Sequence, residues 1–91
     1  MKKIKVVNFS LGKNKVSIER LTKLFSENLV IKVNNKQIIK EPTHRTGTKK
    51  FNFEAGEDKV MIDIVLPYFP AKNQYECKVW VNGKIKDIYY L

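Results

Sequence analysis

The chain has 91 residues and a net charge of +9, enough length for one small domain and too little for a multidomain enzyme. Hydrophobic residues make up 43% and charged residues 30% of the chain, a mixture typical of a folded globular domain rather than a disordered one. Apolar runs of only about four or five residues predict no membrane span, and Lys5 and Asn8 interrupt the stretch that a secretion leader would need. Because the single cysteine, Cys77, can form neither an internal disulfide nor a cysteine zinc site, we expect a cytoplasmic protein.

Apolar and polar residues alternate with a period of two through most of the chain, which predicts β-strands with one buried face. The clearest case is residues 60–66, where Val60, Ile62 and Ile64 share one face and Asp63 lies on the other. Eight strands are predicted, at residues 4–10, 15–21, 29–33, 36–41, 48–54, 59–66, 74–81 and 84–90.

Turn residues separate these strands at regular intervals. Asn82-Gly83 favours a type I′ hairpin turn, and Asn34-Asn35 is a weaker form of the same signal. Gly12 and Gly56 mark two longer turns, and prolines make residues 67–70 a loop. The sequence therefore predicts an all-β fold: a single-domain antiparallel β-sandwich of about eight strands, residues 1–91, built from consecutive hairpins. No internal repeat beyond the hairpins is evident.

One segment also fits a helix. Ile18, Leu21, Leu24 and Phe25 follow a helical spacing behind Ser17, which is a plausible N-cap. A helix over residues 17–27 would make the fold α+β, although residues 16–18 already fit a strand paired with the first one.

Beyond these elements, the order of motifs resembles the amino-terminal domain of the Fas apoptotic inhibitory molecule family. The resemblance rests on the strand at 59–64, the Tyr75-containing strand that ends in Asn82-Gly83-Lys84, and similar elements upstream, and it covers roughly residues 4–90. It implies an eight-stranded antiparallel sandwich without catalytic activity. It also implies a cytoplasmic role in protein interaction, in the family's case restraint of death-receptor signalling and of protein aggregation. We expect this chain to lack the family's second sandwich, and its residues 42–47 lack the family's aromatic residues.

Few residues offer chemistry. Cys77 is in phase with the apolar face of its strand, where a free cysteine is usually a small buried hydrophobe. His44 has no second ligand at metal-binding spacing, and Glu57-Asp58 stands in a turn beside Gly56. We therefore expect no enzyme, no metal site and no cofactor.

Two kinds of binding surface are predicted instead. The leading one is a contact for a protein partner, or for a second copy of the chain through a sheet edge, made by the final strand and its hairpin neighbour: Trp80, Tyr89, Tyr90 and Leu91. The alternative is that these residues only complete the core. Tyr68 and Phe69 offer a further loop contact, and the first strand is a second predicted edge, with a bulge at Val6-Val7.

The charge distribution supports a second candidate function. Residues 1–50 carry a net charge of +10 and residues 51–91 of −1, an asymmetry found on surfaces that bind nucleic acid or another polyanion. A solvated lysine surface explains the same asymmetry, because bidentate phosphate and base recognition prefers arginine. The polyanion-binding residues would be Lys13, Lys15, Lys23, Lys32, Lys36, Lys49 and Lys50.

Overall fold

In a computed structural model of the chain, which describes residues 3–43, 47–66 and 74–91, every regular element is a β-strand. The strands are β1 (Lys3–Leu11), β2 (Asn14–Thr22), β3 (Glu27–Val33), β4 (Lys36–Pro42), β5 (Gly47–Ala55), β6 (Asp58–Leu66), β7 (Glu76–Val81) and β8 (Lys84–Tyr90). The predicted all-β fold of eight strands is confirmed. The helix over 17–27 is wrong, because β2 and β3 occupy most of that segment and pair with each other. Within the described ranges there is no helix that could cross a membrane.

The strands form two antiparallel sheets of four, each a run of consecutive hairpins. The first sheet has the order β1-β2-β3-β4 and the second the order β5-β6-β7-β8. The chain accordingly divides into two compact units, residues 1–44 and 45–91. The terminal strands are β1 and β4 in the first sheet and β5 and β8 in the second.

Each unit buries the apolar residues that alternate along its central strands. In the first unit the side chains that are at most 8% exposed are Phe9, Leu11, Val16, Ile18, Leu29, Val30 and Ile31. In the second unit they are Phe51, Ala55, Val60, Ile62, Ile64, Leu66, Tyr75, Cys77, Val79 and Leu91. The period-two pattern thus identified the buried faces, except that Val30, next to Ile31, is buried as well.

The two units repeat each other, which the sequence interpretation missed. In both, a glycine at positive φ (Gly12, Gly56) joins the first two strands, and a two-residue turn at positive φ joins the last two. Equivalent residues lie 44 positions apart in the first two strands of each unit, as for Gly12 and Gly56. They lie 48 positions apart in the last two strands, as for Asn34 and Asn82. Ten equivalent pairs are identical: Lys5/Lys49, Asn8/Asn52, Phe9/Phe53, Gly12/Gly56, Lys15/Lys59, Val16/Val60, Ile18/Ile62, Val33/Val81, Asn34/Asn82 and Lys36/Lys84.

The irregularities of the sheets repeat as well. The pairing of β3 with β4 shifts register between Ile31 and Lys32, and that of β7 with β8 shifts between Val79 and Trp80, the equivalent positions. The bulge predicted at Val6-Val7 is wrong, because β1 pairs with β2 without interruption from Lys3 to Leu11. An unbroken ladder through both valines leaves no extra residue to form a bulge.

Candidate protein-contact surface

The face of the second sheet opposite its buried residues carries a group of large apolar side chains. Met61 pairs across the strands with Trp80, and Trp80 with Ile85. On the same face of β8, Ile88 pairs with Lys78 and Tyr90 with Glu76. Ile85 is 57% exposed, Ile88 37% and Tyr90 56%, whereas Met61 and Trp80 are half-buried. We call Met61, Trp80, Ile85, Ile88 and Tyr90 the Trp80 surface.

A shallow groove of about 450 Å³ lies at one end of this surface. Its apolar lining consists of Phe53, Val60, Met61 and Trp80, and its polar lining includes Asn52, Glu54 and Lys59. Gly83, in the β7–β8 turn, completes that end of the groove. An apolar cleft edged by a few polar groups is the usual form of a binding site.

The first unit has the same groove at equivalent positions, but with a polar lining. Its volume is about 410 Å³, and apart from Phe9 its lining is polar: Asn8, Ser10, Lys15, Ser17 and Asn35. The Ser17 hydroxyl, at the position of Met61, donates to Oδ1 of Asn8 at 2.7 Å. The full row of four cross-strand neighbours reads Asn8, Ser17, Lys32 and Gln37 in the first sheet and Asn52, Met61, Trp80 and Ile85 in the second.

The predicted contact residues do not all share this face. Trp80 and Tyr90 belong to the Trp80 surface. Tyr89 pairs with Cys77, which places it on the opposite face of β8, where it is half-buried. Leu91 is only 3% exposed, and its backbone exchanges two hydrogen bonds with Tyr75, at 2.8 and 2.9 Å. Leu91 therefore offers little side-chain surface to a partner.

Strand β8 is the terminal strand of its sheet, as predicted for the final strand, and none of its residues is buried. One backbone donor of this edge strand is nevertheless not free to pair with another strand. Oδ1 of Asp87 accepts a hydrogen bond from the backbone N–H of Ile88 at 2.7 Å, so that donor is already satisfied. Since strand addition needs free backbone donors, the exposed side-chain face of β8 is the better candidate contact.

The seven predicted polyanion-contact lysines are distributed over both faces and both units. Lys32 pairs with Glu19 at 3.1 Å, and Lys36 lies opposite Val33 on the other face of the first sheet. Lys49 shares the face of Ile64, whereas Lys50 lies opposite Asp63. The remaining three lie in or next to turns and bends: Lys13, Lys15 and Lys23.

Among the chemical candidates that the structure describes, Cys77 is not placed to act as a nucleophile. Cys77 is fully buried, and burial together with the charge of Glu76 raises the pKa of its thiol to about 12. Across the described ranges, no group of histidine, cysteine and carboxylate side chains is arranged to hold a metal ion. His44, Tyr68 and Phe69 lie outside the described residues.

A polar cluster around Glu27 was missed by the sequence interpretation. The Arg20 Nε donates to Oε2 of Glu27 at 3.1 Å, and the hydroxyls of Thr22 and Thr43 donate to the same carboxylate at 3.0 and 2.6 Å. At the equivalent positions the second unit has only apolar or aromatic residues: Ile64, Leu66, Tyr75 and Leu91. No short-range motif predicts this cluster, because its members come from two strands, β2 and β3, and from the residue after β4.

Comparison with known proteins adds no relative: no family model, no curated protein and no solved structure matches the chain.

Proposed function

We propose that the chain is a cytoplasmic, non-enzymatic protein-interaction module that binds a partner protein through the Trp80 surface. Large apolar side chains exposed together on one face are a feature of interaction surfaces, and tryptophan and tyrosine are enriched among the residues that dominate binding. The resemblance to the Fas apoptotic inhibitory molecule family implies the same class of function. A role in apoptosis or in protection against protein aggregation stays a prediction of that resemblance.

The observation that carries the proposal is the difference between the two equivalent rows. The first sheet forms the same hairpins, the same turns and the same groove with Ser17, Lys32 and Gln37 in the row. The fold itself therefore does not require Met61, Trp80 and Ile85 at those positions. Exposed apolar residues without a structural need are best explained by a binding role.

The test is to make the second row polar without changing the charge, in the variant Met61→Ser/Trp80→Gln/Ile85→Gln. We expect the variant to lose the partner that wild-type protein retains from a cytosolic extract, while circular dichroism still shows the same β structure. Because Ile85 is exposed and Met61 and Trp80 are only half-buried, the free energy of unfolding should fall by about 1–3 kcal/mol, which leaves the fold intact.

The matched control changes the first row, in the variant Ser17→Ala/Gln37→Ala, and should retain the partner. If the second-row variant is folded and captures every partner of the wild type, the Trp80 surface is not the contact.

A second candidate function, binding of single-stranded nucleic acid or another polyanion, is supported by one local cluster of lysines. Lys15 lines the first groove, Lys13 lies in the adjoining turn, and Lys36 follows the Asn34-Asn35 turn. The backbone N–H of Asn34 donates to the carbonyl of Lys15 at 2.8 Å, which holds the two turns together. Three exposed lysines at one end of the first sheet form a positive patch of the kind that attracts phosphates.

A further inference from the structure

Among the terminal strands of the two sheets, β1 has the fewest features that would stop another strand from pairing with it. Its ladder with β2 runs from Lys3 to Leu11 without a bulge, and it contains no proline. By contrast, β4 has a register shift and ends at Pro42, and β8 has a register shift and an occupied N–H at Ile88. Bulges and prolines are usual protections of a sheet edge.

Hydrogen bonds at the neighbouring turn show which backbone groups β1 presents at its free edge. The N–H of Lys15 donates to Oδ1 of Asn34 at 2.9 Å, and the carbonyl of Lys15 accepts from the N–H of Asn34 at 2.8 Å. Lys15 therefore turns both backbone groups toward β3, and its cross-strand partner Ser10 turns both of its own away from β2. Because the two orientations alternate along an unbroken antiparallel ladder, the residues whose backbone faces the free edge are Ile4, Val6, Asn8 and Ser10.

These outward-facing backbone groups are available to an added strand. Within the described part of the chain, no hydrogen bond from outside the β1–β2 ladder reaches them. A row of unpaired N–H and carbonyl groups is the template on which a sheet adds a strand. The side chains of Ile4 and Val6 are 52% and 45% exposed, so an added strand would also cover apolar surface.

The equivalent edge strand of the second unit, β5, has a different outer face. At the positions of Ile4, Val6 and Ser10 it carries Thr48, Lys50 and Glu54. Charged side chains at a sheet edge oppose pairing with another strand. Since β1 and β5 form the same unbroken ladder with their neighbours, the fold does not require apolar residues at the edge of β1.

The opposite face of β1 carries two lysines that have no acidic partner. Lys5 pairs across the strands with Arg20 and Lys3 with a threonine, and neither lysine forms a salt bridge with a described residue. The carboxylate of Glu27, in the row of Lys3, already accepts hydrogen bonds from Arg20 and two threonine hydroxyls. Glu41, in the row of Lys5, lies on β4 at the other edge of the sheet. Acidic side chains on an added strand would complement the two lysines.

A second copy of the chain fits this edge less well. Two β1 strands paired with each other would bring both copies of Lys3 and Lys5 to one edge, and β1 contains no acidic residue to compensate them. Each copy also carries a net charge of +9. Like charges of this size oppose association at low salt.

We propose that the free edge of β1 binds an extended acidic segment of a partner protein as an antiparallel fifth strand of the first sheet. The segment alternates apolar residues, which lie beside Ile4 and Val6, with acidic residues, which pair with Lys3 and Lys5 on the opposite face. This site shares no residue with the Trp80 surface, so the two proposals can fail independently.

The first test compares three fluorescently labelled peptides in which valine alternates with glutamate, glutamine or lysine. By fluorescence anisotropy, we expect the glutamate peptide to bind at least about tenfold more tightly than the lysine peptide. Raising the salt concentration should reduce this preference, because the paired charges are exposed. Nuclear magnetic resonance should show that binding slows hydrogen exchange at the amides of Ile4, Val6 and Asn8, which face the free edge.

Backbone methylation distinguishes strand addition from a contact made by side chains alone. In the antiparallel arrangement the valine N–H groups point toward β1 and the glutamate N–H groups point away from it. Methylating the valine nitrogens of the glutamate peptide should therefore abolish binding, whereas methylating the glutamate nitrogens should weaken it much less. Equal effects of the two modifications would overturn the proposal.

Proline substitution tests the same edge from the side of the protein. Ile4→Pro removes an outward-facing N–H and leaves the hydrogen bonds with β2 in place, so circular dichroism should be unchanged while the glutamate peptide binds at least about tenfold more weakly. Thr48→Pro, at the equivalent position of β5, is the matched control and should bind the peptide as the wild type does. Should Ile4→Pro fail to fold, the methylated peptides still decide the question.

The two lysines are tested with a control of equal charge. Lys3→Gln/Lys5→Gln should weaken binding of the glutamate peptide by about threefold to tenfold. Lys36→Gln/Lys84→Gln removes the same charge from β4 and β8 and should leave binding nearly unchanged. Equal weakening by both variants would assign the effect to net charge and overturn the proposal.

Three other results would also overturn it. They are binding of no peptide, equal affinity for all three peptides, and sedimentation of the free protein as a dimer that Ile4→Pro converts to a monomer. In the last case the strand that pairs with β1 would belong to a second copy of the chain.

Discussion

In each sheet, one asparagine side chain ties a turn to the neighbouring strand. Oδ1 of Asn34 accepts from the backbone N–H of Lys15, and its Nδ2 donates to Oδ1 of Asn14, both at 2.9 Å. Oδ1 of Asn82 accepts from the N–H of Lys59, and its Nδ2 donates to Oδ1 of Asp58, also both at 2.9 Å. Asparagine suits these positions because it tolerates the left-handed backbone, with φ of 53° and 51°.

We predict that replacing either asparagine by alanine lowers the free energy of unfolding by about 2–3 kcal/mol. Alanine removes two hydrogen bonds and is strained at positive φ. Substitution by aspartate should affect the two positions differently. Asn34→Asp places a carboxylate against the neutral Asn14, whereas Asn82→Asp places a second carboxylate against Asp58. Urea unfolding at neutral pH should therefore rank Asn82→Asp as clearly less stable than Asn34→Asp, and equal stability would contradict the repeated network.

The buried thiol of Cys77 gives a second prediction at this scale. Its pKa is about 12 in the folded protein, against 9.0 for a free thiol, so the reactive thiolate is absent at pH 8. We expect no reaction with a thiol reagent at pH 8 until a denaturant is added, and full reaction afterwards. The thiol loses its proton at a lower pH in the unfolded chain than in the folded protein. Burial of the neutral thiol therefore contributes fully to the free energy of unfolding below pH 9, and this contribution declines as the pH rises toward 12. Rapid labelling of the native protein would show that Cys77 is accessible.

Among the elements, the strands and hairpin turns were predictable because their signals are local. Alternation located the ends of all eight strands to within two residues. The Asn34-Asn35 and Asn82-Gly83 turns follow from the tolerance of these residues for positive φ. The helix over 17–27 failed because Leu24 and Phe25, in the β2–β3 connection, are 72% and 94% exposed and do not form a buried helical face.

The elements of the candidate site were only partly predictable. The sequence placed Trp80 on the face opposite Cys77, and the register confirms this placement. It did not separate Tyr89 from Tyr90, because the bulge that sets the phase of β8 depends on pairing with β7 rather than on a local motif. The Glu27 cluster could not be predicted for the same reason, because the pairing of β2, β3 and β4 brings its members together.

On the scale of the whole molecule, the repeat is the feature that sequence reasoning was least able to find. The connection from Leu66 to Tyr75 is four residues longer than the one from Thr22 to Glu27, so the spacing between equivalents changes partway along the chain. Equivalent positions are also filled differently, with half-buried Arg20 and Glu27 in one unit and buried Ile64 and Tyr75 in the other. The two units therefore share the positions of their turns and bulges more closely than they share side chains.

The net positive charge of the chain leads to a prediction about nucleic-acid binding. If the second candidate function holds, affinity for single-stranded oligothymidylate should fall linearly with the logarithm of salt concentration, because bound phosphates release counterions. Reversing the charge of Lys13, Lys15 and Lys36 together should abolish this binding. The control is Lys23→Glu, at the other end of the same strands, which should have a much smaller effect. Absence of binding at low salt, or unchanged binding in the triple variant, would exclude this function.

The turn at Asn82-Gly83 is also the site of this chain most susceptible to spontaneous deamidation. An asparagine followed by glycine is the sequence in which the next backbone nitrogen most easily attacks the side-chain amide, because glycine has no side chain to hinder it. That attack expels ammonia, and water then opens the ring to leave a carboxylate. Here the product would remove the donor that binds Asp58 and set two negative charges against each other. The hydrogen bonds that hold Asn82 in place therefore protect the protein from ageing as well as from unfolding, and Asn34, followed by a bulkier asparagine, needs that protection less.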